Sequence, residues 1–89
     1  MTTDKKSNDW FVYILECSDK TLYTGITNNL EKRLEQHNSG VDGAKYTRPR
    51  RPVKYVYQEK QVNRSVATKR EMAIKKLKRV EKLKLIKSI

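Results

Sequence analysis

The chain has 89 residues, one small domain by length, with 21 Lys+Arg against 10 Asp+Glu and a net charge of +11. Such an excess points to a polyanionic partner: DNA, RNA or, fitting less well, a lipid surface. The single Cys17 excludes an internal disulfide, no Cys/His spacing suits zinc, and no apolar run approaches the roughly 18 residues of a membrane span.

Residues 1–9 are polar and read as a disordered tail rather than a signal peptide. The lone cysteine suits a reducing cytosol, so a cytoplasmic location is expected. Residues 10–89 form the domain. Trp10 to Glu16 is almost wholly apolar. Phe11, Tyr13, Leu15 and Cys17 line one strand face, and Trp10, Val12 and Ile14 line the other, so a central strand covered on both sides is expected. Ser18 to Thr21 is a turn, and Leu22 to Ile26 returns as a second strand. If Tyr13 and Tyr23 serve one site, they must share a sheet face. Residues paired across the hairpin then differ by an even number, which requires an odd-length loop such as Asp19-Lys20-Thr21.

Helical spacing follows. Asn28, with Glu31 three residues on, suggests a capping box. Leu30 and Leu34 make an apolar stripe, and Gly40 is a stop signal. Residues 40–52 read as a loop broken by Gly40, Gly43, Pro49 and Pro52. This loop carries Lys45, Tyr46, Arg48, Arg50 and Arg51, which read as a nucleic-acid contact surface. Val53 to Glu59 is rich in β-formers and is the third strand. Asn63 or Ser65 caps a second helix running to about Lys78, and Val80, Leu83, Ile86 and Ile89 mark a third helix or a continuation. Between Lys69 and Lys87 stand nine Lys/Arg and two Glu. Lys69 and Arg70 join the proposed nucleic-acid surface.

A phosphodiester is hydrolysed when a base activates water, positive charge stabilises the transition state and the leaving oxygen is stabilised. A divalent metal can serve the last two. Arg33 and His37 stand at i and i+4, stacked on one helix face. Arg33 lies about 60° from Leu30 around that helix, beside the buried stripe. Ala67, Glu71, Ile74 and Lys78 fall in one sector, which turns the Glu71 carboxylate inward, where a metal ion is one candidate partner. Each residue alone has a plainer reading. Tyr13 and Tyr23 could be core phenols, Arg33 a solvated helix residue, His37 a surface histidine, and Glu71 the i+4 partner of Lys75.

The ordered set is more specific. Val12-Tyr13-Ile14 is followed ten residues later, tyrosine to tyrosine, by Tyr23-Thr24-Gly25; Arg33 follows after ten more, with Glu71 far downstream. This order resembles the GIY-YIG nuclease family. The stretches from Tyr23 to Arg33 and from Gly43 to Val53 are similar to those of its small stand-alone bacterial members, and the resemblance covers roughly residues 10–80. It implies an α/β (α+β) fold, with a three-stranded antiparallel sheet flanked by helices. It also implies DNA cleavage with one Mg²⁺ or Mn²⁺. Tyr23 would be the general base, with Tyr13 beside it as supporting hydrogen-bonder or alternative base. Arg33 would stabilise the transition state, Glu71 would bind the metal, and His37 would orient the base or the phosphate. A phenol with a reference pKa of ~10 is a weak base at neutral pH, so a nearby arginine and a metal-bound water would have to lower it.

Three features depart from the family pattern. No Asn follows Asn63, Ile26 stands where some relatives carry Lys, and no extra domain that could read a target sequence is expected. The expected function is therefore a metal-dependent DNA endonuclease, with little sequence specificity or with structure specificity, possible roles including DNA repair. Two alternatives stand beside it. One is a DNA- or RNA-binding module with a weak or silent site, such as a ribosome-associated one. The other is a basic protein docking an acidic protein partner, although no protein partner can be inferred from the residues.

Overall fold

The computed structural model describes residues 9–39 and 45–88. Elements run in the order β1 (Trp10–Glu16), β2 (Leu22–Thr27), α1 (Leu30–Ser39), a 3-10 turn (Arg48–Arg50), β3 (Lys54–Gln61), α2 (Arg64–Lys75) and α3 (Arg79–Lys87). The sheet order is β2-β1-β3, and both pairings are antiparallel. The α/β fold expected above, a three-stranded antiparallel sheet flanked by helices, is thus present. The tail expected over residues 1–9 and the helix stop at Gly40 lie outside the described residues, apart from Asp9, whose carboxylate pairs with Lys60 at 3.0 Å.

β1 is central because both of its faces are apolar. Val12 and Ile14 pack with Tyr57, Ala67 and Ile74, joined by Leu85 and Ile86, so α2 and α3 cover one face. Tyr13, Leu15 and Cys17 pack with Val53, Tyr23, Leu30, Leu34 and Tyr55, so α1 covers the other. The expected parity holds: Leu15 pairs with Tyr23 and Tyr13 with Gly25, which puts both tyrosines on the α1 face. The loop is odd in length, as required, but it is Ser18-Asp19-Lys20. Lys20 N–H donates to the Cys17 carbonyl and Cys17 N–H to that of Thr21, each at 2.9 Å. Lys20 takes φ 72°, the left-handed residue that closes a three-residue hairpin.

A bulge in β3 was not legible from the sequence. Ile14 pairs with Tyr57 but Leu15 with Tyr55, so the register slips by one residue between them. Tyr55 and Tyr57 would otherwise share a face. The slip sends Tyr57 to the α2 face and Tyr55 to the α1 face, where its hydroxyl donates to the Leu30 carbonyl at 2.7 Å.

The helix caps correct two expectations. Asn29, not Asn28, caps α1: its Oδ1 accepts from Lys32 N–H at 3.0 Å. Thr27 Oγ1 in turn accepts from Asn29 N–H at 3.0 Å, which leaves Asn28 in the bend. Asn63 caps α2 by accepting from Val66 N–H at 2.9 Å, the motif that satisfies an otherwise orphan donor. Lys78 lies beyond α2, at the N-cap of α3, so of the supposed inward sector only Ala67, Glu71 and Ile74 belong to one helix.

Candidate active site

Three links fix α1 over the sheet. Tyr55 holds its first carbonyl. Near its end the Asn38 amide pairs with Val53 as a strand would, accepting from Val53 N–H at 2.7 Å and donating to the Val53 carbonyl at 3.0 Å. Arg51 donates through Nε to the His37 carbonyl and through Nη2 to the Gln36 carbonyl, satisfying groups that a helix end leaves open. With α1 so held, Arg33 and His37 point down onto β1, as their spacing predicts.

Tyr13 is the meeting point. Its ring lies over Gly25, its partner in β2. A Cβ at position 25 would overlap the Tyr13 hydroxyl and ζ-carbon, so the glycine is there to admit the phenol. The hydroxyl sits 3.0 Å from His37 Nε2. Arg33 Nε donates to the same oxygen in a longer bond of 3.4 Å, while Arg33 Nη1 donates to Gln36 Oε1 at 3.0 Å. Edge-on packing against Tyr55, with ring centroids 5.3 Å apart, closes the far side.

His37 is fully buried, against the plain reading of it as a surface histidine. Its Nδ1 lies 2.8 Å from Thr47 Oγ1, and its ring meets those of Tyr13 and Tyr23 edge-on. Burial first, then the charges of Arg33 and Arg51, lower its pKa to about 4, so the imidazole is neutral near pH 7. Tyr13 moves the other way. Burial raises its phenol above the ordinary value, and the hydrogen bond and charge of Arg33 oppose this without overcoming it. At Tyr13 the arginine does act to lower the phenol, but loss of solvent is the larger effect.

Tyr23 is half-buried and stands on the same sheet face. Its ring stacks on Tyr46, with centroids 5.7 Å apart. The Arg50 guanidinium lies 4.1 Å from the Tyr46 ring centre, and Arg50 Nε pairs with Asp19 in the hairpin turn at 3.1 Å. The loop before β3 therefore wraps the mouth of the site. Tyr46 is 40% exposed, and Lys45 and Arg48 are exposed beside it.

Glu71 comes from α2, the helix on the other sheet face. Its neighbours Ala67 and Ile74 are fully buried, and its own side chain is only 18% exposed, with Lys75 Nζ at 3.4 Å. The helix that carries it packs on the sheet face opposite the one that holds Tyr13 and α1. Among the described residues no group of three His, Cys, Asp or Glu could hold a metal. A single carboxylate suits a hard cation that keeps most of its waters, as Mg²⁺ does, and not a site built of imidazoles or thiolates.

The basic residues named from the sequence divide. Lys45, Tyr46, Arg48, Arg50 and Arg51 belong to the loop beside Tyr23 and His37. Lys69 and Arg70 belong to α2. Lys69 is exposed, whereas Arg70 Nε donates to Glu59 at 2.8 Å, a carboxylate that also accepts from Tyr57 and Gln61. Thr47 was missed, because a threonine in a basic loop carries no sequence signal of burial. Gln36, three residues after Arg33 on α1, could have been found by helical spacing.

Comparison with known proteins supports the same frame. Residues 9–84 match the family model described as the GIY-YIG catalytic domain. A UPF0213 protein of Syntrophus aciditrophicus is 65% identical over 77 residues, covering 86% of this chain and 88% of the relative. A UPF0213 protein of Clostridium perfringens is 60% identical over 78 residues, covering 88% and 83%. Among solved structures, a protein of E. faecalis determined by solution NMR superposes with a TM-score of 0.63 at 48% identity, covering 90% of this chain and 84% of that one. The UPF0213 protein of Bacillus halodurans gives 0.57 at 39%, covering 89% and 83%.

Proposed function

Since this chain belongs to the GIY-YIG family, a family of nucleases, we propose that it is a divalent-metal-dependent endonuclease that hydrolyses DNA phosphodiester bonds with little sequence preference. The observation that carries this reading is the convergence on one buried phenol: His37 at 3.0 Å and Arg33 at 3.4 Å from the Tyr13 hydroxyl. A merely structural tyrosine needs one hydrogen-bond partner, not both an arginine and a buried histidine.

The two tyrosines take different parts. Tyr13 is 1% exposed and holds its proton, so it orients and does not abstract. Tyr23, reachable from solvent beneath the Tyr46 ring, is the base that draws a proton from the attacking water. Arg33 supplies charge to the phosphoryl oxygens as they become more negative, where a fixed guanidinium is worth most. Glu71 would hold the single Mg²⁺ or Mn²⁺, which when bound stabilises charge on the phosphate and on the leaving oxygen. Lys45, Arg48 and the Tyr46–Arg50 pair supply the backbone contacts, which carry affinity without sequence information. Nothing in this set reads base edges, which is why little specificity is proposed.

The test is incubation of the purified protein with supercoiled plasmid and with flap, nick and fork oligonucleotides, with and without Mg²⁺ or Mn²⁺. Metal-dependent nicking supports the reading. Tight binding with intact substrate in every condition would replace it with the silent binding module.

A further inference from the structure

The hydrogen-bond chain through His37 has a direction, and Thr47 sets it. The Tyr13 hydroxyl has two partners among the described residues, Arg33 Nε and His37 Nε2. Arginine can only donate. Among the described residues the buried phenol proton therefore has one acceptor, an unprotonated His37 Nε2. A neutral imidazole carries its proton on the other nitrogen, so Nδ1–H donates to Thr47 Oγ1 at 2.8 Å. Thr47 is 0% exposed, like His37, and its own carbonyl accepts from Arg50 N–H at 2.9 Å in the following 3-10 turn. The threonine is locked on both its backbone and its hydroxyl.

We infer that Thr47 is a positioning residue: by accepting from His37 Nδ1–H it fixes the imidazole tautomer, which turns the Tyr13 proton inward and leaves the phenol oxygen facing the site as an acceptor. The consequence follows from removing it. Without the Thr47 hydroxyl, a buried Nδ1–H has no acceptor, a costly state. The ring then moves its proton to Nε2, and Nε2–H donates to the Tyr13 oxygen. The phenol proton must then turn outward, so an acceptor in the site becomes a donor. The basic loop and the chemistry are coupled through this one hydroxyl, because Thr47 stands between Tyr46 and Arg48.

The inference rests on the nuclease reading for its kinetic consequence but not for its main test. The chain has a single histidine, so its ring signals are unambiguous. Long-range proton–nitrogen NMR on the uniformly ¹⁵N-labelled protein at pH 7 reports which ring nitrogen bears the proton. Wild type and Thr47→Ser are expected to show Nδ1–H, and Thr47→Val, which keeps the shape and loses the hydroxyl, to show Nε2–H or a mixture. In cleavage, Thr47→Val should lower kcat tenfold or more at unchanged KM, with Thr47→Ser restoring it to within about threefold of wild type. Nε2–H in the wild type overturns the inference without need of any variant, as does an unchanged ring pattern in folded Thr47→Val. An Nδ1–H ring in a protein that cleaves nothing would instead overturn the nuclease reading.

Discussion

Gly25 stands opposite Tyr13 in the β1–β2 ladder, and the Tyr13 ring occupies the space that any side chain at position 25 would need. The phenol reaches His37 and Arg33 only by lying flat across that glycine. One tripeptide thus makes room for the tyrosine of the other, a physical reason for the two strings to be paired at this register.

Gly25→Ala is therefore expected to push Tyr13 off its hydrogen bonds. Overpacking of this kind costs about 1–3 kcal/mol. Urea denaturation should show a loss in that range, and cleavage should fall by more than the lost stability explains, because the site geometry moves with the ring. A fully active, fully stable Gly25→Ala protein would remove the close approach from the account.

His37 makes stability depend on pH. Its pKa in the folded state is lowered to about 4 from an ordinary 6.5. The unfolded chain therefore binds the proton first as pH falls, and stabilisation present above pH 6.5 drains away down to about pH 4. The full span is on the order of 3 kcal/mol. Urea midpoints at pH 7, 5.5 and 4 should fall more steeply for wild type than for His37→Gln. Parallel curves would contradict the burial of a neutral ring.

Arg51 and Arg48 should behave differently although both lie in one basic loop. Arg51 ties the last turn of α1 through the His37 and Gln36 carbonyls, so Arg51→Ala should cost about 1–3 kcal/mol of stability. Arg48→Ala should weaken DNA of every sequence alike, with a shallower salt dependence. Fluorescence anisotropy across a salt series, alongside thermal melts, separates the two.

The tyrosines separate by what their hydroxyls touch. Tyr23→Phe should lower cleavage by two or more orders of magnitude with fold and DNA affinity intact, in line with loss of a general base. Tyr13→Phe removes the bond to His37, should cost about 1 kcal/mol of stability, and should lower cleavage less. If the ranking is reversed in a single-turnover assay, the base is Tyr13.

Much of this arrangement was readable beforehand, and the rest was hidden for identifiable reasons. β1 was legible because both faces are apolar, and hairpin parity followed from wanting Tyr13 and Tyr23 together. The cap of α1 was placed one residue early because Asn28 and Asn29 are alike as residues, and only Thr27 behind them selects the second. The β3 bulge was invisible because nothing between Tyr55 and Tyr57 marks a register slip. The burial of His37 and Thr47 was invisible because polar residues carry no periodic signal; it follows from a loop that folds back on α1. Glu71 was legible as inward from Ala67 and Ile74, but its place on the sheet face opposite Tyr13 was not.

The most direct test of the central claim compares wild type with Glu71→Gln on supercoiled plasmid in Mg²⁺ and in Mn²⁺, with DNA affinity measured for both. The substitution keeps size and hydrogen-bonding capacity and removes the charge that would hold the ion. Wild type should nick the plasmid, stop on addition of EDTA and resume with metal. Glu71→Gln should bind DNA at least as tightly and leave it intact. Equal cleavage by the two proteins, or intact plasmid with wild type under all conditions, would contradict the account.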